Sequence, residues 1–99
     1  MKTKILNILQ NEFYREEVVI TNNLNEAREK ELNIANLKYQ ISTIKNLSTP
    51  EKFNAYISTL KESEKETSKK ADNFKDIKGL KSIYTARLKY IKMILKEVS

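Results

Sequence analysis

The sequence predicts an all-α protein, either an antiparallel helical hairpin or a small three- to four-helix bundle with coiled-coil-like packing. Three observations lead there. The 99 residues include one Gly and one Pro, and a chain almost without turn formers is hard to close into a β fold. In the first half, Leu6, Phe13, Ile20, Ala27, Ile34 and Ile41 recur every seven residues, with Leu9, Leu37 and Ile44 three places later; this is a heptad seam. In the last segment, residues 77–98, apolar and lysine side chains fall on opposite sides of a helix that turns 100° per residue.

The chain reads as one helical domain over residues 1–99. Its first arm covers about residues 3–47. The seam fails in the middle of this arm, where Glu16, Asn23 and Lys30 stand at positions that should be apolar. Val18-Val19-Ile20-Thr21 is β-branched, Asn22-Asn23 is a poor helix interior, and Asn23 with Glu26 can cap a new helix. A kink is expected at residues 20–23, so the arm is one bent helix or two. The turn follows at residues 48–50. Here Ser48 can serve as the N-cap, Glu51 can complete a capping box, and Pro50 suits the first helical turn.

The second arm covers about residues 50–98. It opens with Phe53, Tyr56, Ile57 and Leu60 at helical spacing, turns polar over residues 61–73, and is expected to bend near residues 76–79 at Gly79. Pairing the arms about the turn sets residues 34–47 against 53–60 and residues 5–20 against 77–95, with the two polar runs opposite each other. Arms of about 45 residues would reach ~68 Å at 1.5 Å per residue. A chain of this mass supports that length poorly, so either the arms fold back into a bundle or two copies form a homodimer.

Composition excludes several kinds of chemistry. There is no His and no Cys, which removes the usual general base, the strongest common nucleophile and the thiolate metal sites. Glu12 and Glu16, at i and i+4, can place two carboxylates on one helix face toward a hard cation. The nearby Arg15, Arg28 and Lys30 favour a solvated face with weak ion pairs instead. No phosphate-binding loop, dinucleotide fingerprint or calcium loop occurs. The expectation is a protein that is not an enzyme and uses no cofactor and no metal. No apolar run approaches the ~18 residues of a membrane span, and residues 1–10 do not read as a secretory signal. A cytoplasmic location is therefore expected.

The net charge is +6 and it is local. Residues 1–49 carry seven Lys/Arg against six Glu, and residues 50–99 twelve Lys/Arg against seven Asp/Glu, the excess lying after Asn73. Lys75, Lys78, Lys81, Lys89, Lys92 and Lys96 form one stripe, opposite Ile77, Leu80, Tyr84, Leu88, Ile91, Ile94, Leu95 and Val98. Such a stripe suits an acidic protein surface, and equally the phosphates of DNA or RNA bound without regard to sequence. The bland alternative is a solvated helix face filled with lysine. Tyr90, at the margin of the apolar side beside Lys89, is a candidate to stack on a base or pack into a partner. Arg87 points into the apolar stripe, so it must be paired or must snorkel. The expected partner is Glu12 or Glu16, in a pair that fixes the register of the first and last helices. The rival role is an anchor in an interface.

In length and composition the chain is similar to small basic four-helix bacteriocin immunity proteins, helical export chaperones and phage-encoded inhibitors, a similarity of size and class that assigns no residue. The hairpin expectation also resembles secreted proteins of the WXG type, but Ser48-Thr49-Pro50 occupies the turn and the chain has no Trp. Its Lys, Asn and Ile content resembles that of proteins from low-GC bacteria and their phages. The leading functional expectation is an adaptor or inhibitor that docks on an acidic macromolecule. The alternatives are a DNA- or RNA-binding protein and a cytosolic protein of the immunity type.

Overall fold

A computed structural model describes all 99 residues. The protein is all-α, with four helices and no strand: α1 (Lys2–Glu17), α2 (Leu24–Lys45), α3 (Pro50–Asn73) and α4 (Lys78–Val98). By its internal contacts the chain divides into two units, Met1–Ser48 and Thr49–Ser99. In the first α1 packs on α2, and in the second α3 packs on α4.

In the first unit the chain stops being helical where the β-branched run begins. Val18 closes α1, and Asn23 opens α2 with extended backbone, its side-chain oxygen accepting from the Glu26 N–H at 2.9 Å. The Glu26 carboxylate reaches back to accept from the Asn22 N–H at 3.1 Å, so two amides at the new helix start are satisfied together. Lys2 Nζ donates to the Leu47 carbonyl at 2.6 Å, Asn33 Nδ2 to Glu16 Oε1 at 3.1 Å, and Lys30 Nζ to the Glu17 carbonyl at 2.9 Å. These bonds fix an antiparallel register, with the start of α1 beside the end of α2.

The buried apolar residues of this unit are Ile5, Leu9, Leu37 and Ile44, with Gln40 buried among the polar ones. The heptad seam is thus used unequally. Its second set is buried, whereas Leu6, Phe13, Ala27, Ile34 and Ile41 are half-buried and Ile20 lies exposed in the connector. Two helices joined by six residues meet along one line, and Ile5 and Leu9, one turn apart, occupy it on α1.

In the second unit the N-cap is Thr49, whose Oγ1 accepts from the Lys52 N–H at 3.2 Å. The cap expected at Ser48 therefore lies one residue later. Pro50 explains the shift: proline favours the first helical position, which makes the residue before it the cap. The expected bend falls at residues 74–77, and Gly79 is not its hinge. Gly79 is the second residue of α4, its φ is not positive, and a Cβ built on it meets nothing within 4 Å. Phe53, Ile57 and Leu60 of α3 are buried, as are Ala86, Tyr90, Ile91 and Ile94 of α4. Near the connector apolar packing thins, and the Phe74 and Tyr84 rings stack with centroids 5.9 Å apart.

Both arms therefore fold back on their neighbours in sequence. Each arm contains its own break, and a link of six or four residues brings consecutive helices together antiparallel at little entropic cost. Because Gly79 has open space and an ordinary helical backbone, Gly79→Ala should raise stability by about 0.5–1 kcal/mol. Leu37→Ala, at a wholly buried position, should lower it by about 2–4 kcal/mol. Urea denaturation followed by circular dichroism measures both.

Candidate functional site

The lysine stripe is carried by α4. Lys78, Lys81, Lys89, Lys92 and Lys96 are all exposed and span an arc of about 80° at 100° per residue. Lys75, also exposed, sits in the connector before α4 and not on the helix. From Lys78 to Lys96 the stripe runs roughly 27 Å at 1.5 Å per residue. The opposite side of the helix is anchored by Ala86, Tyr90, Ile91 and Ile94, so the fold itself orients the lysines toward solvent.

The buried side of α4 is rotated from the expected apolar stripe by about a quarter turn. Ile77, expected inside, is 52% exposed, and Leu80, Tyr84, Leu88, Leu95 and Val98 are half-buried. Ala86 and Tyr90 take the centre. A small side chain such as alanine lets a helix approach its neighbour closely, and periodicity weighted by hydrophobicity discounts it.

Tyr90 consequently does not lie at the margin. Its residue is wholly buried, and Lys89 Nζ stands 5.4 Å from its ring centroid. That ring is a core element and offers no stacking face to a base. Tyr84, stacked on Phe74, meets two cations, with Lys70 Nζ at 5.8 Å and the Arg87 guanidinium carbon at 6.0 Å from its centroid.

Arg87 is exposed. Arg87, Glu12 and Glu16 each have contacts inside their own units. Arg87 lies against Tyr84, Arg15 Nη1 donates to Glu12 Oε1 at 2.8 Å, and Glu16 accepts from Asn33. The stretch of α3 from Lys61 to Asn73 is polar. Burial there is confined to small side chains such as Thr67, so a long side chain at position 87 extends outward along a ring and is not trapped in a core.

These positions predict opposite sensitivities. Tyr90→Ala should destabilise the fold by about 3–5 kcal/mol, the usual cost of removing a buried aromatic side chain. Arg87→Ala should change stability by less than about 1 kcal/mol, as for an exposed cation over a ring. Chemical denaturation of the two variants decides, and a loss of several kcal/mol at Arg87 would mean that it carries a buried contact.

No helix of the structure is long and apolar enough to cross a membrane. Comparison of the chain with protein-family models, with curated proteins and with solved structures finds no match.

Proposed function

We propose that this is a non-enzymatic interaction protein, an adaptor or inhibitor, whose α4 lysine face docks on an acidic surface of a partner protein. The observation that carries the proposal is the division of labour on α4. One side is held in the fold by Tyr90, Ile91 and Ile94, and the other exposes Lys78, Lys81, Lys89, Lys92 and Lys96. A helix held in this way presents its charges at fixed spacing, and a row of like charges steers an oppositely charged partner and sets its register.

Lysine supports the reading in a second respect. Its ammonium is a compact, strongly hydrated charge without the planar fork that reads carboxylate or base edges in pairs, so the contact is positional. Burial of Tyr90 favours a protein partner over single-stranded nucleic acid, because sequence-tolerant strand binders combine basic grooves with accessible aromatic rings. What remains for a nucleic acid on this face is the phosphate backbone alone, which makes it the natural competing outcome of the experiment.

Lys89→Gln, Lys92→Gln and Lys96→Gln combined should leave helicity unchanged. Affinity capture from cells of the source organism, with nuclease added, should recover an acidic protein with the parent chain and lose it with the triple variant. Its affinity should fall at least about tenfold, the scale of three exposed ion pairs at about 0.5 kcal/mol each. Nuclease-sensitive capture, together with steeply salt-dependent binding of an arbitrary oligonucleotide, would replace the protein partner by nucleic acid. Equal capture by parent and variant would remove the lysine face from the function.

A further inference from the structure

The first unit carries a second surface, independent of the lysine face. Gln10, Tyr14 and Val18 follow one another at four-residue spacing and form a ridge along α1. Tyr14 is 64% exposed and Val18 76%. Beyond the ridge the connector exposes Ile20, and α2 begins with the exposed Leu24. Isolated exposed apolar residues are ordinary, but a run of them on one end of a hairpin marks a contact surface. This end is also held in place. Lys30 Nζ bonds the carbonyls of Glu17 and Val19 at 2.9 and 3.0 Å, and Glu26 holds the Asn22 N–H. A connector fixed at both ends loses little freedom on docking.

Beside the ridge, between α1 and α2, lies an open groove of about 410 Å³. Phe13, Ile41 and the ridge's own Tyr14 supply its apolar lining, and Lys38 and Lys45 line it too; Lys38 Nζ stands 6.0 Å from the Phe13 ring centroid. The groove thus asks for an apolar side chain with a carboxylate next to it. The ridge supplies that pair, since the exposed Glu17 immediately precedes Val18.

We propose that two copies of the chain pair through this face, the Glu17-Val18 end of each seating in the Phe13, Tyr14 and Ile41 groove of the other, with Glu17 toward Lys38 and Lys45. Both complementary parts lie on one face, which is the condition for a closed two-fold interface. Val18 stands four to eight residues beyond the α1 residues of the groove, about 6–12 Å along the helix axis. Two α1 helices laid antiparallel bring each Val18 over the other's groove with the Tyr14 side chains near the axis. The charges face each other in both halves of the interface, which favours a second copy over an unrelated apolar segment.

Sedimentation equilibrium over a concentration series tests this. The parent chain should approach the dimer mass at high micromolar concentration, and Val18→Asp should raise the dissociation constant at least tenfold. Glu17→Lys alone, and Lys38→Glu with Lys45→Glu, should each be monomeric where the parent pairs. Mixed in equal amounts, these two variants should regain the dimer mass, because both halves of the mixed interface again join opposite charges. All substituted side chains are exposed, and circular dichroism checks that helicity is kept. A monomer at every concentration, mass growing beyond the dimer, a dimer indifferent to these substitutions, or a mixture that stays monomeric would each overturn the proposal.

Discussion

A helix leaves its last carbonyls without partners, and in the first hairpin lysines from the opposite helix close two such ends. Lys2 at the start of α1 donates to the carbonyls of Lys45 and Leu47 at the end of α2, and Lys30 on α2 donates to Glu17 and Val19 at the end of α1. An ammonium at a helix C-terminus satisfies carbonyls and also meets the negative end of the helix dipole. Because each contact joins the two helices, the same bonds that end them set their register. With the register set, Ile5 and Leu9 lie at the level of Leu37 and Ile44, and the connector with its β-branched run is held outside the core.

Lysine thus has two physical roles in this chain. Lys2 and Lys30 are engaged with backbone carbonyls at the helix ends of the first hairpin. Lys78, Lys81, Lys89, Lys92 and Lys96 are exposed on one side of α4, and no acidic residue stands between Lys78 and Lys96 in the sequence. The total of +6 conceals this division. What separates the two roles is that Lys2 and Lys30 donate to carbonyls across their hairpin, while the α4 lysines face solvent.

Much of the fold could be read from local chemistry. The scarcity of Gly and Pro is a property of composition, and it leads directly to an all-α protein. The Asn23 and Glu26 arrangement is confined to four residues, so its geometry follows from its sequence. Thr49 was less legible, since Ser48 and Thr49 are both good caps and only the first-turn preference of Pro50 selects between them. Which helix faces which was not legible at all: periodicity identifies an apolar face but not the surface it meets. Tyr90 shows the limit within one helix. The buried side of α4 includes Ala86, a residue that a hydrophobic stripe scarcely registers, and Tyr90, marginal on a helical wheel, lies at the centre of that side. The exposed lysines were legible because exposure requires no partner.

The distribution of tyrosines has a consequence for observing the molecule. The chain contains no tryptophan, so its intrinsic ultraviolet fluorescence and near-ultraviolet dichroism come mainly from five tyrosines. The two in the first unit, Tyr14 and Tyr39, are 64% and 65% exposed, while in the second Tyr56 and Tyr84 are half-buried and Tyr90 is fully enclosed. Phenol rings already in water change little when the chain around them unfolds. The optical signal of tertiary structure therefore belongs largely to the second hairpin, while the amide dichroism near 220 nm sums over both. If those two signals separated during denaturation, they would resolve the melting of one hairpin from the other without any label.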